Sequence, residues 1–195
     1  MSRQKGDIMR DVLISLKPYY YYLIGEGIKR VEVRKTYPKA DDWSRNSWFY
    51  MSRDEKSFAK IPKEFQEKYR KHFGKVGMRF VCDKIDKIFQ CNSGWVQEHA
   101  CISREEYFKY LGLPYNSHFD SKGAYAWHIN DLVVYDNPRE LSEFYNNCNG
   151  LCFDNSIKYK CIRFNTDNPY ACHHIKPLTR PPQSWCYIEP RQTAD

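Results

Sequence analysis

The sequence contains no long hydrophobic segment. No apolar run approaches the roughly 20 residues that a helix needs to cross a bilayer. Residues 1–7 are polar and are not followed by the apolar core of a secretory signal peptide. The sequence therefore predicts a cytoplasmic protein with no membrane partner.

Two common catalytic motifs are also missing. Gly25 and Gly27 lack the further glycines and the Lys-Ser/Thr ending of a phosphate-binding P-loop. Serine and histidine residues occur, but none stands in the strand–turn–helix context that exposes a nucleophilic serine. The sequence therefore gives no support to a P-loop nucleotide hydrolase or to a Ser-His-Asp hydrolase.

Aromatic residues and cations are abundant. The 195 residues include 16 Tyr, 11 Phe and 5 Trp, and the formal net charge is +7. This aromatic content is unlike that of a disordered chain and suits one sizeable core, so residues 1–195 are predicted to form a single domain. A basic chain favours polyanionic partners, and rings interleaved with cations favour single-stranded nucleic acid, whose exposed bases can stack. The alternative is that most of the rings fill the core.

In about six segments of the sequence, apolar and polar residues alternate as they do in β-strands. Between them lie short helical segments, one of which, beginning at Ser103, has the capping-box pattern with Glu106. This mixture predicts an α+β fold, a small, partly open β-barrel flanked by short helices. The predicted strands are residues 12–17, 30–36, 47–51, 78–89 (as one strand or a pair), 125–135 and 183–188. The predicted helices are residues 19–24, a helix after Pro62, residues 103–110 and a short helix from Pro138.

A charged strand follows the two early glycines. Val31 and Val33 point to one side of this strand, and Glu32 and Arg34 point to the other. The two glycines allow close approach of the backbone where Lys29 begins the charged series. One interpretation is a solvated strand face with surface ion pairs. The other is a polar cleft that holds a nucleotide.

The order of motifs in this chain resembles the ASCH family of the PUA-like β-barrel group. The family signature reads here as Gly27, Lys29, Glu32 and Arg34. Supporting segments are the strand before Pro18, residues 125–129, and residues 180–188, which look like the terminal strand of phage and bacterial members. Together these segments span most of the chain, and they imply a PUA-like barrel.

The resemblance implies RNA, or a modified nucleotide or nucleoside, as the partner. One branch of the family is similar to amidohydrolases that act on acylated cytidine, and another has ribonuclease activity. A catalytic lysine of the amidohydrolase branch matches Lys29, but a threonine stands there at the position of Glu32. A carboxylate beside Lys29 and Arg34 favours an ion pair over a nucleophile, which argues against the amidohydrolase reaction.

Roles for the site residues follow from spacing. Lys29 is the predicted ligand contact, Glu32 orients it, and Arg34 is a phosphate or structural anchor. If the chain is an enzyme, Lys29 and Glu32 are the catalytic pair, with a lysine of lowered pKa as general base. The remaining predicted ligand-binding residues are Lys17 at the end of the first strand, Gly27 in the turn, Trp127 as a stacking wall and His128 as a polar contact.

Four of the eight cysteines fall in one short segment. This segment, residues 145–176, has few aliphatic residues and is predicted to be an insertion into the barrel. Four thiolates would form a closed, structural zinc site that supplies folding energy. Reduced thiols and disulfides are the alternatives, and His173 or His174 could replace Cys172. The predicted zinc ligands are Cys148, Cys152, Cys161 and Cys172.

Three functions are therefore to be distinguished. The first is an RNA- or nucleotide-binding domain with a basic cleft built around the motif that ends at Arg34. The second is a hydrolase, either a ribonuclease or an acylated-nucleoside amidohydrolase, that uses Lys29 and Glu32. The third is a protein-interaction module that binds through the zinc insertion. The sequence does not determine the oligomeric state.

Overall fold

The structure is a computed structural model that describes residues 10–39, 43–114, 123–146 and 175–189. Most of the predicted cysteine-rich insertion lies outside these ranges. The four predicted zinc ligands, Cys148, Cys152, Cys161 and Cys172, and the two alternative ligands, His173 and His174, are all outside the described residues. The described cysteines, Cys82, Cys91, Cys101 and Cys186, are free thiols.

Short strands and short helices alternate along the described chain. The strands are β1 (Arg10–Leu16), β2 (Val31–Arg34), β3 (Trp43–Met51), β4 (Val76–Val81), β5 (Ile85–Phe89), β6 (Gly123–His128), β7 (Asn130–Arg139) and β8 (Trp185–Ile188). The α-helices are α1 (Pro18–Gly25), α2 (Glu55–Phe58), α3 (Lys63–Arg70), α4 (Ser93–Ala100) and α5 (Arg104–Leu111). None of these helices has the length and apolar character needed to cross a bilayer.

The strands form two sheets. The larger sheet has the order β7-β4-β3-β1-β8, in which β1 and β3 are parallel and the other pairs are antiparallel. The smaller sheet is antiparallel, with the order β2-β6-β5. The predicted α+β class and small, partly open barrel are confirmed, with eight described strands where about six were predicted.

Buried side chains form three clusters around these sheets. The first lies between the larger sheet, α1 and one face of the smaller sheet, and includes Ile14, Phe49, Met78 and Trp127. The second lies between the other face of the smaller sheet and helices α4 and α5. The third covers the outer face of the larger sheet. The smaller sheet is therefore a middle layer, buried on both faces.

Several sequence predictions need correction at strand ends. Residues 125–135 were predicted as one strand, but β6 ends at His128 and β7 begins at Asn130, in the other sheet. The chain bends there, and Asp131 has a positive φ of 46°. The predicted helix from Pro138 is wrong, because Pro138 and Arg139 belong to β7 and the described residues that follow, 140–146, form a 3-10 turn at Leu141–Glu143.

Other local predictions are confirmed. Residues 78–89 form a pair of strands, β4 and β5, which belong to different sheets. At the start of α5 the hydroxyl of Ser103 accepts from the backbone N–H of Glu106 (3.2 Å), and the Glu106 carboxylate accepts from the N–H of Ser103 (3.1 Å). Helix α5 ends at Gly112, whose φ is +72°.

Candidate functional site

The turn after α1 carries the predicted motif into β2. Gly27 has a φ of +71°, in the left-handed region that favours glycine. Its N–H donates to the carbonyl of Ile24 (2.9 Å), and the N–H of Ile28 donates to the carbonyl of Leu23 (2.9 Å). This pair of bonds is the Schellman ending of a helix. Gly27 therefore fixes the turn that places the motif lysine, Lys29.

Position 25 requires a glycine for a different reason, which is the lack of space for a side chain. A β-carbon at this position would collide with the hydroxyl of Tyr69 and the terminal methyl of Met78. Its lack of a side chain therefore lets α1 pack closely on α3 and β4. At Gly25 the groups that approach the backbone closely are therefore side chains of the protein, Tyr69 and Met78.

The alternation of β2 places its residues as predicted. Val31 and Val33 lie in the second cluster, against α4 and α5. Glu32 and Arg34 point to the opposite face, towards the larger sheet, where Glu32 pairs in register with Trp127 and Arg34 with Tyr125. The charged side chains of β2 therefore lie inside the barrel and not on a solvated strand face.

Three charged side chains of the motif meet in the interior, and we call them the buried triad: Lys29, Glu32 and Arg34. The ammonium of Lys29 lies 3.3 Å from Oε2 of Glu32, and Nη2 of Arg34 lies 3.0 Å from Oε1. Their side chains are 1%, 8% and 11% exposed, respectively. One cation thus sits on each carboxylate oxygen, and the triad carries a net charge of +1 while Lys29 is protonated.

Arg34 also joins the triad to the larger sheet. Its Nη2 donates to the carbonyl of Ser15 in β1 (2.6 Å), and its Nη1 donates to the hydroxyl of Ser184 just before β8 (3.4 Å). Because one guanidinium contacts Glu32, Ser15 and Ser184, it ties β2 to both β1 and the approach to β8.

Lys29 joins the triad to helix α4. Its ammonium donates to the carbonyl of Ala100, the last residue of the helix (2.8 Å), and the N–H of Arg30 donates to the carbonyl of His99 (2.9 Å). The last carbonyls of a helix lack partners within it and carry its negative dipole end, so a cation is favoured there. The motif turn is therefore the cap of α4.

Burial shifts the pKa values of Lys29 and of the neighbouring Tyr20. Desolvation lowers the pKa of Lys29, while the charge of Glu32 and its hydrogen bond oppose that shift. The ring centroid of Tyr20 lies 5.5 Å from the Lys29 ammonium. Burial, followed by the charges of Glu106 and Glu32, raises the pKa of Tyr20 to about 12. At neutral pH Tyr20 is therefore an uncharged phenol that can donate a hydrogen bond.

A cleft of about 640 Å³ opens on the other side of Tyr20. Three lysines line it, together with two tyrosine rings and two carboxylates. Hydroxyls of Ser57 and Ser103, the amide of Gln97 and the thiol of Cys101 complete the lining. The lysines are Lys17, Lys56 and Lys60, the rings are Tyr19 and Tyr20, and the carboxylates are Asp54 and Glu106.

The two carboxylates of the cleft are engaged in capping helices. Asp54 accepts from the backbone N–H of Ser57 at the start of α2 (3.0 Å), and Glu106 accepts from Ser103 in the capping box. The three lysines, in contrast, are exposed. The cleft therefore presents solvated cations at its rim and fixed carboxylates at its walls, with a charge balance of +1.

The structure brings together four of the predicted site residues and places three others apart. Lys29, Glu32 and Arg34 form the buried triad, and Gly27 holds their turn. Lys17 lines the cleft, from which the Tyr20 ring and Cys101 separate the Lys29 ammonium. The two remaining predicted residues are Trp127 and His128.

Trp127 is fully buried in the first cluster. Its ring packs on Trp43 (5.5 Å between ring centroids) and on Trp185 (5.9 Å), so no ring face is exposed to a ligand in this structure. His128 points to the other face of the smaller sheet, where its Nε2 lies 2.9 Å from Oδ2 of Asp86. The two neighbours in sequence therefore lie on opposite faces of β6.

Sequence reasoning missed most of the cleft lining. Lys56 lies in α2 and Lys60 follows it, and Gln97 belongs to α4; neither helix was predicted. One signal was available in the run of four tyrosines after Pro18, because an eight-residue helix cannot bury a ring on every side. Tyr21 and Tyr22 are buried, whereas Tyr19 and Tyr20 turn to the cleft.

Comparison with known proteins finds similarity to solved structures alone. No known family matches the chain, and no curated protein matches it. The fold is similar to the crystal structure of ASCH from Zymomonas mobilis, with 21% identity over 91% of this chain and 86% of that chain and a TM-score of 0.45.

Two mutant structures of the same Zymomonas mobilis protein give similar values. For a mutant with phenylalanine in place of a tyrosine, the identity is 20% over 91% of this chain and 88% of that chain, with a TM-score of 0.45. For a mutant with alanine in place of a serine, it is 17% over 93% and 90%, with a TM-score of 0.46.

Proposed function

We propose that this chain is an ASCH-type domain, of the phage or bacterial type, that binds single-stranded RNA or a nucleotide in the 640 Å³ cleft. One observation carries the proposal. Three lysines and two tyrosines surround a cleft whose back wall lies against the buried triad of the motif. Phosphate groups would contact the lysines, and bases would stack on the rings.

The buried triad supports this site in two ways. Glu32 holds Lys29 and Arg34 in one geometry, which fixes the motif turn and the end of α4 behind the Tyr20 ring. Its net positive charge lies in a region of low dielectric, where a fixed charge acts over a longer distance than in water. We propose Lys29 as the motif cation that acts on a ligand in the cleft, across the Tyr20 ring.

One observation favours a hydrolase as the second candidate. A buried lysine of lowered pKa beside a cleft is typical of catalytic sites. In that case Lys29 acts as general base and Glu32 orients it, with an RNA phosphodiester or an acylated nucleoside as the substrate. The hydrolase and the binding domain use the same cleft and differ in whether the ligand is changed.

The test uses labelled single-stranded RNA with the wild type and three variants. Lys17→Ala combined with Lys60→Ala removes two rim cations, and Lys29→Ala removes the buried one. Lys176→Ala is the matched control, because this exposed lysine does not line the cleft. Both the retained fraction and the length of the RNA are measured at two salt concentrations.

We expect intact RNA that the wild type and the Lys176→Ala variant retain and that the rim variant releases. Retention should fall as salt rises, because released counterions drive phosphate binding. RNA that is shortened by the wild type and left intact by the Lys29→Ala variant would establish the hydrolase instead. RNA that no protein retains or shortens would refute both and leave the protein-interaction hypothesis.

We also propose the structural zinc site on Cys148, Cys152, Cys161 and Cys172. Four thiolates form a closed site without an open position for water, so the metal would stabilise the segment and not catalyse. Metal analysis of the purified protein should find one zinc per chain, and the Cys152→Ser variant should lose it. Equal metal content in the two proteins would refute this ligand set.

A further inference from the structure

A second pocket lies near the beginning of α4. Its volume is about 270 Å³, and its lining residues are Asp86, Lys87, Ile88, Asn92 and Trp95. None of these residues lines the cleft described above. The pocket combines one large ring, one carboxylate, one amide and one cation, which is the set of groups that binds a nucleobase and its phosphate.

The indole of Trp95 is held in a fixed position. It stacks on the imidazole of His99 with 4.6 Å between ring centroids and 16° between planes. Nδ1 of His99 lies 3.0 Å from the carbonyl of Trp95, which fixes the imidazole in turn. Trp95 also packs on the second cluster. A ring that is already ordered loses little conformational entropy when a base stacks on it.

Asp86 is held as a charged acceptor. Its Oδ2 lies 2.9 Å from Nε2 of His128 and 2.9 Å from the ammonium of Lys84. The hydrogen bond from Lys84 has the largest effect and, together with that from His128, holds the pKa of Asp86 below its usual value, although burial opposes them. A carboxylate has about four acceptor positions, so these two bonds leave room for a ligand that donates N–H groups.

Lys87 supplies the cation. It is exposed, it follows Asp86 directly in β5, and its ammonium lies 5.1 Å from the ring centroid of Phe89. Side chains of adjacent strand residues point to opposite faces, so Asp86 faces Trp95 while Lys87 lines the rim of the pocket from the edge strand β5, with its side chain on the other face of the sheet. A phosphate next to a stacked base can meet this ammonium without approaching the carboxylate.

Helix α4 relates this pocket to the cleft. Asn92 and Trp95 at its beginning line the pocket, and Gln97 and Cys101 at its end line the cleft. Trp95 and Cys101 are separated by about 9 Å along the helix axis, given the rise of about 1.5 Å per residue. A strand of a few nucleotides is long enough to occupy both sites.

We propose that the Trp95 pocket is a second base-binding site for the RNA strand bound in the cleft, and that it selects bases with an exocyclic amino group. The selection follows from chemistry: the Asp86 carboxylate accepts from the amino group of adenine or cytosine, whereas uracil offers oxygen at that position. The proposal rests on the proposed RNA-binding function, and its test separates the two.

The experiment measures fluorescence anisotropy with labelled ten-nucleotide oligoadenylate and oligouridylate, and competition by AMP. The variants are Trp95→Ala, Asp86→Asn and Lys87→Ala. Trp185→Ala is the aromatic control, since it removes a partly buried indole from the far edge strand β8. Thermal unfolding followed by circular dichroism verifies that each variant is folded, and the exposed Lys87 keeps the test decisive if Trp95→Ala unfolds.

We expect the wild type to bind oligoadenylate more tightly than oligouridylate. Trp95→Ala should weaken oligoadenylate binding about tenfold, because the stacking of one base on the indole is lost. Asp86→Asn should reduce the preference between the oligonucleotides to less than about twofold, since an amide no longer selects for an amino group. Lys87→Ala should weaken both affinities, and Trp185→Ala should change neither.

Three outcomes would overturn the proposal. Wild-type affinities in the Trp95 and Lys87 variants, with binding lost in the Lys17/Lys60 variant, would refute the pocket and leave the cleft intact. AMP binding that depends on Trp95 while oligonucleotide binding does not would identify a free nucleotide as the occupant. A wild type that binds neither oligonucleotide would refute both the pocket and the cleft.

Discussion

Two carboxylate-centred charge networks lie on opposite faces of the smaller sheet. In the buried triad, Glu32 receives its two cations at 3.3 and 3.0 Å. In the surface network, Asp86 receives Lys84 and His128 at 2.9 Å each. The side chains of Asp86, Lys84 and His128 are 36%, 61% and 26% exposed, respectively, against at most 11% in the triad.

The distances between the charged atoms do not show which network contributes more to stability. The triad has the longer contacts, but removal of Glu32 would leave two buried cations without a counter-charge, so its geometry is strongly enforced. The surface network has shorter contacts, yet water can replace any of its members at small cost. The first therefore suits a scaffold, and the second suits a site where a ligand exchanges with water.

The largest expected effect is that of Glu32→Gln. The substitution leaves Lys29 and Arg34 as two buried cations without a counter-charge, and we expect a loss of about 3–5 kcal/mol in the free energy of unfolding. Urea unfolding at pH 7 measures it. A loss under about 1 kcal/mol, the range of an exposed pair, would show that water reaches the triad and would remove the distinction between the two networks.

Acidification should destabilise the protein through its buried histidine, His72. His72 is fully buried, its Nδ1 lies 3.0 Å from the Tyr21 hydroxyl, and desolvation lowers its pKa from 6.5 to about 4. Between these two pH values the unfolded chain binds the proton and the folded chain does not, so stability rises with pH in that window. We expect acidification through this window to remove about 3 kcal/mol through His72.

The measurement is urea unfolding at an acidic pH within that window and at neutral pH, for the wild type and for His72→Gln and His99→Gln. The His72 variant should be less stable at neutral pH and should lose less on acidification than the wild type. His99→Gln is the control, because it removes an imidazole whose side chain is partly exposed. Parallel losses in all three proteins would contradict this origin of the acid sensitivity.

A substitution in the turn that holds the buried triad should have a smaller effect on stability. Gly27→Ala places a β-carbon at a φ of +71°, and we expect it to cost about 1–2 kcal/mol. Gly94→Ala is the matched control, because Gly94 lies in α4, is exposed and has open space for a β-carbon. That control should be neutral or stabilising by up to about 1 kcal/mol. Thermal unfolding of both variants tests the difference.

The smallest expected effect is that of Asp86→Asn on stability. An exposed pair contributes about 0–1 kcal/mol, so the free energy of unfolding should change by less than about 1 kcal/mol. The same urea titration used for Glu32→Gln gives a direct comparison at matched conditions. A cost equal to that of Glu32→Gln would mean that the surface network is structural, which is not the role we assign to it.

Features encoded within a few residues could be predicted from the sequence. The two faces of β2 follow from alternation at Val31 and Glu32, and the start of α5 follows from the pairing of Ser103 with Glu106. The end of α1 follows from Gly27. In each of these cases the residues that determine the structure are neighbours in the chain, so no knowledge of tertiary packing was needed.

Features that depend on which sheet a strand joins could not be predicted in this way. Trp127 lies on the same face of the smaller sheet as Glu32, but its neighbours along the chain could not show that the larger sheet covers that face. The break between β6 and β7 at Ile129 has no glycine or proline to mark it. Helix α4 was missed because Val96 and Ala100 are its only buried apolar residues.

The position of β1 has a consequence for synthesis of the chain. β1 is the first described strand, and it lies between β3 and β8, the last one. Until residues 185–188 leave the ribosome, an apolar strand with buried Val12, Leu13 and Ile14 therefore has one unpaired edge. A nascent chain that stops before Trp185 exposes this edge to other chains, and aggregation should fall abruptly once β8 is complete.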